Sequence, residues 1–363
     1  MTSPIYKLSD SYIDCLAVLD PGAATYMGIP GHDHEMTDFS PAGHDARAAL
    51  DHDVLTQLNA LDTSADADRL AAGVLRESLE MGTLEYAANE HLRSIRVIAG
   101  DVDAGRSIFD LMPTDTAEQW SVIAERMSQV PRAFAGMRES WALGAQRGAL
   151  GQRRQVLASA EQLGAWAGRG TAPAFFEQFV EGAASVAGAP IDQLRTAAKA
   201  ASKALGETSD YLRNEYAPIA DAHDGVGADR HALARRRFMG MNVEARDAYE
   251  WGWGEVERLD AEMARVAQEI QPGASLAEVR HLLDTDPARS IVGEDGLRDW
   301  LQEIMDDAMK FLIDEDHFSI PKSIQRVEAM ISPPGGAAAM YYTGPSEDLS
   351  RPGRTWYPTN GRT

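Results

Sequence analysis

A single cysteine, Cys15, among 363 residues excludes an intrachain disulfide, and its apolar surroundings point to a buried, inert thiol. Basic residues are in short supply, with 34 Lys plus Arg against 56 Asp plus Glu and a formal charge of −22. So acidic a surface argues against nucleic acid and anionic membrane as partners. Long hydrophobic runs are missing as well. Met1 to Asp10 carry no basic segment leading into an apolar one, and nothing later approaches the roughly 20 apolar residues of a membrane span. A cytoplasmic protein is expected. Val and Ile are sparse, which disfavours extensive sheet.

Ala, Leu, Glu, Gln and Arg abound instead, and the expected fold is mainly α, a large multi-helix body with a short strand and loop region near the C-terminus. From Ala67 to Ile98, apolar Leu70, Val74, Leu75, Leu79, Leu84, Ala87, Ala88, Leu92 and Ile95 recur at helical steps and predict one long helix. Thr114-Asp115-Thr116-Ala117-Glu118-Gln119 offers an N-cap followed by acidic or amide side chains that can reach back to the first free amides, and Ser275-Leu276-Ala277-Glu278 reads as a second capping box. Pro131 marks a bend before a helix through Trp141. Breaks are predicted at Gly168 to Pro173, Gly188 to Pro190, Pro218 to Gly227, Gln271 to Gly273 and Asp284 to Gly296. No repeat or low-complexity linker divides residues 1–317, which read as one compact helical body.

Residues 318–363 differ in character. Pro321, Pro333, Pro334, Gly335, Gly336, Gly344, Pro345, Pro352, Gly353 and Pro358 exclude a continuous helix, and between them Ala337 to Thr343 predict a short strand. Such a strand, flanked by glycines, offers its edge to an extended peptide. The plainer reading is a surface loop packed by Tyr341, Tyr342 and Trp356.

Local metal and nucleotide motifs are weak. His32-Asp33-His34-Glu35-Met36-Thr37-Asp38 begins like a His-Glu-x-x-His zinc motif, but Asp38 stands where the second histidine belongs. Gly28, Pro30, Gly31 and Pro41 make a helix there improbable, so a polar loop is expected. His44 and His52, eight apart among Asp45, Asp51 and Asp53, read as a solvated acidic face. His91, His223, His231, His281 and His317 have no partner at ligand spacing. No phosphate-binding glycine loop is present, and Arg235-Arg236-Arg237 reads as a set of salt bridges. Tyr249-Glu250-Trp251-Gly252-Trp253-Gly254-Glu255 suggests close core packing of rings against glycines, or else Glu250 or Glu255 lining a cavity.

Several segments taken in order resemble the bacterial family known as domain of unknown function 885. They are Asp20-Pro21-Gly22-Ala23-Ala24-Thr25 with Gly28, Phe109-Asp110-Leu111-Met112-Pro113, Tyr249 to Glu255, and Val327 through Tyr342 with Pro345-Ser346 and Ser350 to Tyr357. The resemblance implies a zinc-metallopeptidase-like helical body around a cleft. It also implies a His-Glu-Gly-x-Pro-Gly-His-His metal segment following the position of Arg362. Thr363 comes before that segment, so the expectation is an N-terminal portion with no catalytic residue, no metal ligand and no cofactor of its own, zinc being expected for a longer member. What carries over is a substrate-edge strand, with Gly335, Gly336, Ala337, Ala338, Ala339, Tyr341, Tyr342, Arg351 and Arg354 as candidate substrate-binding residues.

The functional expectation is thus the front part of a zinc-dependent peptide or amide hydrolase, inactive alone. Its expected partners are a peptide substrate and a C-terminal half or second chain, and its uncovered apolar surface invites self-association. The alternative is a non-catalytic helical peptide-binding module. A further one is a complete enzyme with a dispersed site using His32, His34 and Glu35.

Overall fold

A computed structural model describes residues 3–315, 318–332, 340–346 and 348–359. The chain opens with α1 (Pro4–Leu19), α2 (Pro21–Met27), α3 (Pro41–Asn59) and α4 (Asp66–Ala87). Prolines stand in the first turns of α1, α2 and α3, where the missing amide costs nothing. Ile5, Val54, Leu58 and Leu79 form the buried contact of α1, α3 and α4. The long helix predicted from Ala67 to Ile98 stops after Ala87, because Asn89 takes a left-handed conformation (φ 56°). Leu70 and Val74, read as inward, are exposed, and the buried positions of α4 are Ala72, Leu79 and Met81.

The main core lies in α5 (Asp101–Ser107), α6 (Ala117–Ser128), α7 (Val130–Gln146), α8 (Arg153–Trp166), α9 (Phe175–Phe179) and α10 (Ile191–Tyr211). Trp120, Met127, Phe134, Trp141, Val156, Leu163, Phe176, Leu194 and Leu205 are buried in one cluster there. The capping box predicted within Thr114 to Gln119 is present at the start of α6, where Thr116 is the cap and Gln119 its partner, and Pro131 lies in the first turn of α7. Cys15 is exposed, contrary to expectation. It sits two residues, about 200° around the helix, from the buried Ala17.

Next come α11 (Ala228–Met239), α12 (Ala245–Ile270), α13 (Leu276–Thr285) and α14 (Glu294–Asp314), with the second predicted capping box at Ser275. α11 buries no residue and is held by charge. Arg230 pairs with Glu90 at 2.7 Å, Arg236 with Glu77 at 2.6 Å and Glu80 at 3.0 Å, and Arg237 with Glu85 at 3.9 Å. The basic triplet thus supplies ion pairs through Arg236 and Arg237. α12 buries only Ala267, against Ala274 and Val279. The core role predicted for Tyr249 to Glu255 fails: Tyr249, Trp251 and Trp253 are 66%, 70% and 54% exposed, and nothing approaches Gly252 or Gly254. Glu250 and Glu255 pair with Arg246 and Arg258 on the same helix surface.

The chain closes in a sheet of β1 (Val327–Ile331), β2 (Tyr341–Thr343) and β3 (Gly353–Tyr357), in the order β1-β3-β2. β1 runs parallel to β3 and β2 antiparallel, with Tyr341 opposite Trp356. Of the strand predicted from Ala337 to Thr343, the last three residues form β2. Gly335, Gly336, Ala337, Ala338 and Ala339 lie outside the described residues. β1 and β3 went unpredicted, since each is five residues long and reads as loop between prolines and glycines.

Candidate functional site

The sheet has two outer edges, and they differ. At β1, Gln302 of α14 donates Nε2 to the Val327 carbonyl (2.9 Å) and accepts the Ala329 amide on Oε1 (2.8 Å). One side chain thereby satisfies two of the backbone groups that an added strand would use. No described strand pairs with the outer side of β2. Beside it opens a cavity of about 590 Å³, whose walls include Tyr26 and Met27 of α2, Met36 and Phe39, Asp103 and Arg106 of α5, Asp110, and Met340 and Tyr341.

One wall is the segment that resembled a zinc motif. Asp20 caps α2 by accepting the Ala23 amide (3.0 Å) and also accepts the Thr37 hydroxyl (2.6 Å). Thr37 in turn accepts the Gly22 amide (3.0 Å). A Cβ on Gly22 would stand 2.8 Å from Thr37 Oγ1, which explains the glycine of Asp20-Pro21-Gly22. Arg126 of α6 is wholly buried and gathers the rest. Its Nε donates to the Glu35 carbonyl (2.8 Å), and its Nη2 to the Thr25 hydroxyl (2.8 Å) and the His32 carbonyl (2.9 Å). Gln129 donates to the His34 carbonyl (2.7 Å). His32 to Glu35 is therefore an irregular loop, as expected, fixed by its backbone. His34 and Glu35 side chains lie 3.8 Å apart.

The opposite wall carries charge. Arg106 is 1% exposed and forks onto Asp110 with bonds of 2.7 and 3.2 Å. Its guanidinium lies 3.9 Å from the centre of the Phe175 ring, a cation–π contact. Burial pushes the Asp110 carboxyl up to about 6 against the pull of Arg106, and burial likewise raises Asp103. Tyr341 is stacked on Trp356 at 5.8 Å. Its hydroxyl is raised by burial first and then by the charge of Asp110.

Of the predicted substrate residues, Tyr341 alone among the described ones lies in the walls of this cavity. Tyr342 is half exposed and packs its hydroxyl over Gly353. Arg354 donates to Glu328 across the sheet (3.0 Å), and Arg351 donates to the Tyr26 carbonyl (3.1 Å). Arg126, Arg106, Asp103 and Gln302 escaped sequence reading. Only Arg106 and Asp110, four apart on one face, left a local signal.

His44, expected on a solvated acidic face, is largely withdrawn from water. Its ring lies 5.0 Å from that of His91, and His91 stacks on Tyr86. Burial lowers His44 to about 3 and His91 to about 4, with the charge of Arg47 adding to the shift at His44. Among the described residues no group of three or more His, Cys, Asp or Glu side chains is placed to hold a metal ion. No described helix is long and apolar enough to cross a membrane.

The family described as a bacterial protein of unknown function, DUF885, matches residues 21–363. Two solved structures described as putative lipoproteins share the fold. One, from Colwellia psychrerythraea, is 18% identical with a TM-score of 0.73, covering 100% of this chain and 68% of its own. The other, of unknown function and from Shewanella oneidensis, is 15% identical with a TM-score of 0.63, covering 98% of this chain and 64% of its own. This chain therefore spans about two thirds of the length of each. No curated protein matches it.

Proposed function

Because this chain belongs to the bacterial DUF885 family, we propose that it is the substrate-side scaffold of a zinc-metallopeptidase-like hydrolase of peptide or amide bonds. In this reading an extended peptide adds to the outer edge of β2 and lays a side chain into the adjoining cavity. The observation that carries it is the asymmetry of the sheet: Gln302 closes the β1 edge, while Tyr341 is at once part of the β2 edge strand and wall of the cavity.

Zinc, in a complete enzyme, would polarise the scissile carbonyl and activate water. In this reading, as the family resemblance implies, the zinc-binding segment is supplied by further polypeptide, on the same chain or a second one. The open β2 edge and the cavity beside it serve equally a second reading, a peptide-binding module without catalysis.

Calorimetric titration with unstructured peptides, with and without EDTA, tests both. The expected outcome is saturable binding that chelation leaves unchanged, no cleavage by mass spectrometry, and no stoichiometric zinc by elemental analysis. Tyr341→Ser weakens binding about tenfold, roughly 1.4 kcal/mol, and alternate backbone N-methylation of the peptide abolishes it. Absence of saturable binding sinks both readings. Stoichiometric zinc with cleavage by this chain alone would redirect attention to His32, His34 and Glu35. Adding the corresponding unmatched third of a longer family member separates the readings, since only the hydrolase then gains zinc and activity.

A further inference from the structure

A second cavity, of about 640 Å³, lies between α11, the end of α4, residues 90–98 and the first turn of α8. It shares only Ile98 with the cavity beside β2. Its charge runs against that of the chain. Arg93, Arg96, Arg230 and Arg237 stand in its walls against two carboxylates, Glu85 and Glu90, whereas the whole chain carries −22. Arg230 forks onto Glu90 with bonds of 2.7 and 2.8 Å, and Arg93 reaches the same carboxylate at 3.3 Å, so two guanidiniums share one counter-charge. Arg237 stands 3.9 Å from Glu85. Arg96 is exposed and enters no ion pair among the described residues.

Two donors in these walls lack a partner. Arg93 Nε and Gln152 Nε2 are withdrawn from water and bonded to no described group, and a buried donor left unpaired is costly. Gln152 and Gln155 belong to the start of α8, which no side chain caps, so the positive end of that helix dipole adds to the field. Burial lowers the pKa of Arg93, opposed by Glu90 and reinforced by Arg230. The carboxylates that feel Arg237 and Arg230 from outside the walls are already engaged: Asp51 accepts the Tyr12 hydroxyl (2.9 Å), and Asp221 the His223 amide (2.9 Å).

We propose that this cavity binds a small organic dianion, held by Arg93, Arg96 and Arg237 and covered over its apolar part by Ile98, Val226 and Phe238. The excess of two positive charges in the walls sets the charge of the ligand. Guanidinium forks match the oxygens of phosphate and of carboxylate alike. The three hydrophobic side chains are exposed, and with the size of the cavity they call for a ligand larger than an inorganic ion. An aromatic phosphate monoester or dicarboxylate meets both demands.

Calorimetric titration of the whole chain at about pH 8, where a phosphate monoester is doubly charged, tests this with phenyl phosphate, phthalate, benzoate and inorganic phosphate. The expected result is saturable binding of phenyl phosphate or phthalate, the tighter of the two identifying the oxyanion, and its weakening by added salt. Benzoate, with one charge, and inorganic phosphate, without a ring, bind at least about tenfold more weakly. Arg96→Gln weakens binding about tenfold with the thermal midpoint unchanged, since that side chain ties no other element down. Arg96→Gln/Arg237→Gln abolishes binding with helical circular dichroism retained, because the pairs of Arg230 and Arg236 still hold α11. Tyr341→Ser, in the cavity beside β2, leaves the affinity unchanged. No saturable binding, benzoate or inorganic phosphate binding as tightly, an affinity indifferent to Arg96→Gln, or its loss through Tyr341→Ser each overturns the proposal.

Discussion

Arg126 shows how one side chain can set a wall. It is inaccessible to water, yet its closest carboxylate, Asp33, is 3.9 Å away, and its bonds go to carbonyls of a loop nearly a hundred residues distant. Burial lowers its pKa to about 10, and the carbonyls and the Thr25 hydroxyl supply the solvation that water would have given. Arg126→Met is expected to cost at least about 2 kcal/mol in urea unfolding, because it leaves several buried acceptors unpaired. Titration adds a second residue-scale prediction. Burial raises Asp101 to about 7, opposed by Ser94 and Arg96, so the folded state binds its proton more tightly than the unfolded chain. That contribution to stability is fully present below about pH 4 and is lost as pH rises to about 7. His44 and His91, lowered to about 3 and 4, act oppositely: their contribution is present above about 6.5 and is lost as pH falls through their folded values. Asp101→Asn removes the first term. Stability measured by chemical denaturation should then rise by a few kcal/mol at pH 8, and its fall from pH 6.5 to 4 should steepen.

At the scale of elements, the sheet is held to the helical body by a close approach at the end of α2. Gly28 has φ 75°, and a Cβ there would stand 2.5 Å from the Ser346 Cβ and 2.7 Å from its Cα. Arg351 adds its bond to the Tyr26 carbonyl. Gly28→Ala therefore meets left-handed strain of about 1–3 kcal/mol together with a backbone clash. We expect the 340–359 region to become readily cleaved in limited proteolysis while α6 to α10 resist, and the cavity beside β2 to lose peptide binding with it. Gln302→Ala makes the complementary change: it uncovers the β1 edge, and the expected outcome is salt-insensitive aggregation by edge pairing, read by light scattering.

Over the whole molecule, apolar packing is uneven. α6 to α10 share one continuous buried cluster, whereas α11 is attached by ion pairs and α12 buries one alanine. Hydrogen exchange should follow that gradient. Amides around Ala198 and Leu205 are expected to exchange slowest, and those of α11 and α12 orders of magnitude faster.

Helical character, both capping boxes, the Pro131 break and the loop at His32 to Asp38 were legible in the sequence because each rests on contacts within a few residues. So was the family, whose ordered short segments span the chain. Exposure was not legible. Residue type and period do not say whether anything covers a side chain, so Tyr249 to Glu255 read as core and Cys15 read as buried. Nor was the cavity, of whose described wall residues only Tyr341 had been singled out as a candidate for substrate. The carbonyl cradle of Arg126, the meeting of His44 with His91, and the capping of one sheet edge by Gln302 all join residues 25 or more positions apart. Local propensity acts over one or two turns of chain, and only the packing of whole helices decides which distant polar groups face each other and which sheet edge stays open.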